Sequence, residues 1–213
     1  MTEDPIRDGL NYYTYCGNNP LRFIDPSGLK IEFADRPTDA QKQAYERAIA
    51  YLESSETGKA LIKLLTDADK TIWIRFTNNN LTVYDNKNLI KWDPRSGLIL
   101  SDKKSVQSAA LGLAHEMGHA AQQLKYGKRY FELVDCEREW LELDNLNIHE
   151  TLIAEQLGEF IRSNYADASG YYRMNNSTDW GTVETQYYWY NYIAPWNWGK
   201  PSKVFTNLNP WKP

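Results

Sequence analysis

From residue 38 the apolar positions fall three and four apart. Ala44, Ala48, Tyr51 and Leu52 line one side of a predicted first helix, opened by Thr38 and Gln41 at capping-box spacing behind Pro37. Leu61, Ile62, Leu64 and Leu65 form the apolar side of a second helix over 58–65. The pattern then changes to strand-like. Residues 71–76 read as a strand, Asn78, Asn79 and Asn80 as a turn, and 81–84 as the returning strand. Residues 89–92 and 98–100, split by Asp93, Pro94, Arg95, Ser96 and Gly97, predict a second hairpin. A helix follows over 105–126 with Gly127 as its stop, then a charged helix over 132–144 and an amphipathic one over 147–164. No repeat of solenoid length interrupts this order, which predicts an α+β domain with a small antiparallel sheet.

The helix over 105–126 carries the chemistry. It contains His115-Glu116-Met117-Gly118-His119, and Glu116 is the one charged residue between 105 and 124. Positions i and i+4 share a helix face, so His115 and His119 can grip one Zn²⁺, with Glu116 beside them as the base that activates water. The alternative is a core helix with two satisfied imidazoles. It leaves three polar groups on a buried face without a task, and a carboxylate there is costly unless paired or used. The zinc reading is therefore preferred.

A hydrolytic zinc site usually takes three protein ligands. The segment from 147 offers His149, Glu150, Glu155 and Glu159. At about 100° per residue, Glu150 groups with Ala154, Leu157 and Ile161 on the apolar face, while Glu155 and Glu159 point away and His149 sits at the margin. Glu150 is the expected ligand. Asn147 and Glu150 also have capping-box spacing, which would fold that carboxylate back on its own backbone. Glu155 is the runner-up, with Glu159 one turn on as a carboxylate behind it. Arg173 and the tyrosines of 171–198 are further candidates to stabilise an oxyanion, although a packed aromatic cover is the simpler role for that segment.

Composition narrows the class. The net charge of −4 gives no basic footprint for nucleic acid. No apolar run reaches membrane-spanning length, and the first residues carry no signal-peptide pattern. Cys16 and Cys136, the only two cysteines, exclude a disulfide scaffold and read as unpaired thiols.

Two resemblances set these residues in context. GLNYYTYCGNNPLRFIDPSGL, ending at Leu29, resembles the C-terminal end of the Rhs/YD-repeat core, whose pattern is GLNLYxYxxNNPxxxxDPxGL. The resemblance implies a shell that encloses a toxin and cleaves itself after the DPxGL leucine. Here that cut falls between Leu29 and Lys30, with Asp25 and Asp4 as the aspartates of the cleavage. Residues 1–29 would be the core remnant and 30–213 the toxin payload. The payload in turn is similar to effector-type (NleD-like) zinc metallopeptidases, with LAHEMGHA followed by ETLIAEQLGEFIR, in which Glu150, Ala154 and Arg162 fall in register. Thr151 and the pair Gly158-Glu159 depart from that pattern, and WDPRSGL (92–98) matches its strand-turn-strand. The implied protein is a zincin-like metallopeptidase, with an active-site helix and a second ligand-bearing helix. It would be secreted without a signal peptide, carried in the Rhs shell and delivered into a target cell, there to cut a protein substrate. A cognate immunity protein would protect the producer if the target is bacterial. A non-enzymatic toxin and a zinc amidase acting on cell-wall peptide are the alternatives.

Overall fold

The computed structural model describes residues 31–187 and 201–207, so Asp4, Cys16, Asp25, Leu29, Lys30 and the aromatic run over 188–200 lie outside the described residues. Helix α1 (Asp39–Glu53) opens on the expected capping box. Gln41 N donates to Thr38 Oγ1 at 3.3 Å, and Thr38 N donates back to the Gln41 side chain at 2.8 Å. Its Tyr45, Ala48, Tyr51 and Leu52 are buried against α2 (Glu56–Thr66), which Ser55 caps.

The described strands form two sheets, and their pairing departs from the expected hairpins. Strand β1 (Ile31–Phe33) runs parallel to β2 (Ile72–Phe76), and β2 runs parallel to β4 (Leu89–Trp92). Strand β3 (Val83–Tyr84) is antiparallel to β4 at the edge, giving the order β1-β2-β4-β3. The returning strand thus pairs with β4, and no β2–β3 hairpin forms. The tight turn lies at 85–88, where Asn86 and Asn88 both take φ of 61°. There Asp85 accepts from Lys87 N and Leu89 N.

The second expected hairpin is also redistributed. At Asp93 the chain leaves the first sheet through a turn closed by Ser96 N donating to Asp93 O. It enters a second, antiparallel sheet made of β5 (Ser96–Ile99), β6 (Ser105–Gln107), β7 (Gly170–Arg173), β8 (Gly181–Tyr187) and β9 (Pro201–Asn207), ordered β7-β5-β6-β8-β9. Strand β5 pairs with β6, so residues 105–107 are strand rather than helix. The buried Asp93 carboxylate holds this corner, accepting from Asn80 N, Arg95 N and Arg173 Nη1.

Helix α3 (Ala109–Tyr126) starts at the Ser108 cap and runs through the core, buried on nearly every side as far as Gln123. Leu111, Leu113 and Met117 are fully enclosed, each contributing about 1.5–3 kcal/mol of burial. Two short helices follow, α4 (Arg129–Cys136) and α5 (Arg138–Asn145). The expected charged helix is therefore broken at Glu137. From α5 the chain continues without a break through a π-helical turn (Leu146–Glu150) into α6 (Thr151–Leu157). With helix on both sides of it, Asn147 cannot be a cap. The helix ends at Gly158 in the left-handed region (φ 74°), six residues before the expected end, so Glu159 and Arg162 lie in a loop. Among the described residues the architecture is α+β with two small sheets, one mixed and one antiparallel, rather than a single antiparallel sheet. Among the described residues no helix is long and apolar enough to cross a membrane.

Candidate metal centre

One helical turn of α3 places His115 and His119 edge to face, with their Nε2 atoms 3.2 Å apart. The third member comes from α5. Glu142 Oε2 lies 3.3 Å from His115 Nε2 and 3.1 Å from His119 Nε2. These three buried atoms make a nearly equilateral triangle, a group able to hold a metal ion. A tetrahedral ion about 2.0–2.1 Å from its ligands needs them about 3.3 Å apart, so the donor set fits without rearrangement. The same three residues line a cleft whose walls include Tyr84, Tyr130, Val134, Arg138 and Tyr165.

Each histidine is held from behind. His115 Nδ1 stands 2.8 Å from Glu150 Oε2. That carboxylate is also paired with Arg162 through Nε (2.7 Å) and Nη2, and accepts from Gln107 Nε2. His119 Nδ1 stands 3.0 Å from Gln122 Oε1. Asn145 Nδ2 donates to the His115 carbonyl at 2.8 Å. Helix α5 comes this close because position 118 is glycine; a Cβ there would sit 1.8 Å from Asn145 Oδ1.

The charges are strongly coupled. Burial opposes an imidazolium at His115, but hydrogen bonds to Glu142 and Glu150 outweigh it and push the ring up to about 10. Burial likewise opposes ionisation of Glu142 and Glu150. The two histidines for Glu142, and Arg162 with His115 for Glu150, hold both carboxyls well below the usual range. Glu116 moves the other way. Burial raises it against the pull of both histidines and of Tyr84 N, which donates to Glu116 Oε2 at 2.7 Å.

His115, Glu116 and His119 line one cleft, and the carboxylate grouped with the two imidazoles is Glu142, whereas Glu150 was the one expected. Glu150 lies on the Nδ1 side of His115, facing away from the Nε2 triangle, and is consumed by Arg162. Glu155 is exposed, and His149 is half-buried outside the group. Glu159, expected on an outer face, is buried at the start of α3. There it accepts from Ser108 N, Ser108 Oγ and Tyr51 OH. Arg173 is spent on Asp93, and neither it nor Tyr171 lines the cleft. Trp180 packs on Phe160 in the core.

Glu142, Gln122 and Tyr165 were not anticipated. Glu142 lies eight residues before Glu150, within a run of charges that reads as a solvated face. Comparison with known proteins adds no assignment: no protein-family model and no curated protein matches the chain.

Proposed function

We propose that the domain is a zinc-dependent metallopeptidase, held by His115, His119 and Glu142 with Glu116 as its base. The Nε2–Nε2–Oε2 triangle carries this reading, because two imidazoles and one carboxylate lining a cleft are the donor set of catalytic zinc. A zinc ion bound there would supply Lewis acidity, lowering the pKa of a water beside it toward ~7 and polarising a substrate carbonyl.

The chain's own residues do the rest. Glu116, its carboxyl raised by burial and aimed by Tyr84 N–H, takes the proton of the attacking water and returns it to the leaving amine. Tyr165 lies over the His115 ring (6.2 Å between centroids, 24° between planes) and is half exposed at the cleft, where its hydroxyl can donate to an oxyanion. Tyr130, Val134 and Leu141 give the cleft an apolar wall suited to a substrate side chain.

The biological setting rests on the resemblance of residues 1–29 to the Rhs core. The enzyme would be a secreted toxin released from its shell inside a target cell, cutting a protein there, with an immunity protein guarding the producer. Expression of wild type and Glu116→Gln in a bacterial cytoplasm, and separately in its periplasm, tests it. Both proteins should purify with about one zinc per chain, and only wild type should generate new protein termini. Wild type without zinc sinks the metal reading. Zinc with cleavage confined to cell-wall peptide makes the enzyme an amidase, and zinc with no cleavage makes the site non-catalytic.

A further inference from the structure

The backings of the two histidines differ in kind. His115 has the Glu150 carboxylate, itself paired with Arg162, whereas His119 has only the neutral amide of Gln122. An amide can face an imidazole with its oxygen or its nitrogen, and the two choices demand opposite tautomers of the ring. Here the choice is forced from the other end. The nitrogen end of Gln122 stands 2.9 Å from the Leu141 carbonyl and 2.9 Å from Asp144 Oδ2. Both are acceptors, so that end must be the NH₂ and the end toward His119 must be the oxygen. An oxygen at Nδ1 requires His119 to carry its proton there, which leaves the Nε2 lone pair directed at the triangle with Glu142. The Leu141 carbonyl and the Asp144 carboxylate flank Glu142 on α5, so the segment that brings the carboxylate also sets the ring it meets.

We propose that Gln122 is a positioning residue that fixes the Nδ1–H tautomer of His119, with Leu141 O and Asp144 locking its amide. The assignment rests on the metal-centre reading above. Its consequences differ from those of ordinary core packing, because Gln123, the next residue on the same helix, is equally buried yet serves Tyr84 and Asn88 instead.

Zinc affinity is measured by chelator competition for wild type, Gln122→Ala, Asp144→Ala and Gln123→Ala, alongside thermal melts and nitrogen-15 spectra of the histidine rings in zinc-loaded protein. Gln122→Ala should lose ~10–100-fold in affinity, the range expected for a group that orients a ligand. Asp144→Ala, which touches no ligand and frees the amide to turn, should lose part of that. Gln123→Ala should lower the melting temperature and leave affinity within about threefold of wild type. In wild type the His119 ring should show one protonated Nδ1 and one metal-bound Nε2, a pattern blurred in the Gln122 variant. Equal affinities for wild type and Gln122→Ala, or a Gln123 loss as large as the Gln122 loss, overturns the proposal. Wild type that binds no zinc overturns the metal centre and this assignment with it.

Discussion

Glu142 and Glu150 stand on opposite sides of one imidazole, with Glu142 Oε2 3.3 Å from His115 Nε2 and Glu150 Oε2 2.8 Å from Nδ1. One faces the metal position and the other holds the ring, so their removal should have different effects. Glu142→Ala should abolish zinc binding at moderate chelator concentrations. Glu150→Gln should weaken it ~10–100-fold. It should also cost about 3 kcal/mol in urea unfolding, because Arg162 is left buried without its carboxylate. A Glu150 variant that arrives metal-free beside a zinc-loaded Glu142 variant would reverse the two roles.

The π-helical turn between these carboxylates explains how both reach His115. Residues eight apart in an unbroken α-helix lie about 80° apart around the axis. A π turn accommodates roughly one extra residue, so eight residues here behave like seven and return to nearly one face. Deleting the exposed Asn147 should therefore leave both carboxylates in place and zinc affinity within about tenfold of wild type. Inserting one alanine after Asn147 should swing Glu150 about 100° away, with an affinity loss at least as large as that of Glu150→Gln. Titration of both length variants with zinc checks the direction. A harmful deletion beside a harmless insertion would refute the register argument.

That turn also marks where the sequence ceased to be legible. His115, Glu116 and His119 were readable because their spacing lies within one regular helix, and the Thr38 capping box was equally local. Glu142 was hidden because it lies on α5, ahead of the π turn, in a run of charges that no regular helical spacing links to the histidines of α3. Its own helix is rich in charge, and of its apolar residues only Leu141 points inward while Trp140 and Leu143 are exposed. Glu159 was misjudged because helical periodicity was extended past Gly158, where the backbone turns left-handed. Strands β2, β3, β4 and part of β5 were recognised, but β1, β7, β8 and β9 were not, β6 was read as helix, and none of the partners was foreseen. The pairing of β2 with β4 is parallel and non-local, and the hairpin lies at 85–88, between β3 and β4, rather than at the asparagines 78–80.

Gly118 tests how tightly the two helices must meet. Gly118→Ala drives a methyl into Asn145 Oδ1 and should push α5 outward, lowering stability by about 1–3 kcal/mol and weakening zinc binding through Glu142. Asn145→Ala removes the obstacle but also a hydrogen bond. The double variant should therefore be more stable than the sum of the two single losses predicts, a coupling that melts of all four proteins would reveal. Simple additivity would mean that this contact does not set the helix separation.

Glu159 gives the fold a pH dependence separable from the metal. Burial pushes its carboxyl up to about 7, against hydrogen bonds from Ser108 and Tyr51. Because the folded pKa exceeds the unfolded one, the folded chain holds the extra proton between them. The resulting stabilisation is complete below about pH 4.5 and fades as pH rises toward 7, by roughly 3 kcal/mol in all. Glu159→Gln should reduce the slope between pH 5 and pH 8, leaving the part that His115 contributes above about pH 6.5, and be the more stable protein at pH 8. Parallel urea curves at pH 5 and pH 8, in chelator, decide it. A variant as pH-sensitive as wild type would locate the dependence elsewhere.

The group that aims Glu116 is the main-chain amide of Tyr84, on the edge strand that forms one wall of the cleft. A backbone donor survives every substitution at its own position except proline. The cleft-lining side chains of that strand region, Thr82 and Val83, can therefore be exchanged without removing the hold on Glu116. On the proposed reading, recognition and chemistry would share a strand yet draw on different atoms of it, which would leave the wall free to drift toward new substrates while Glu116 keeps its aim.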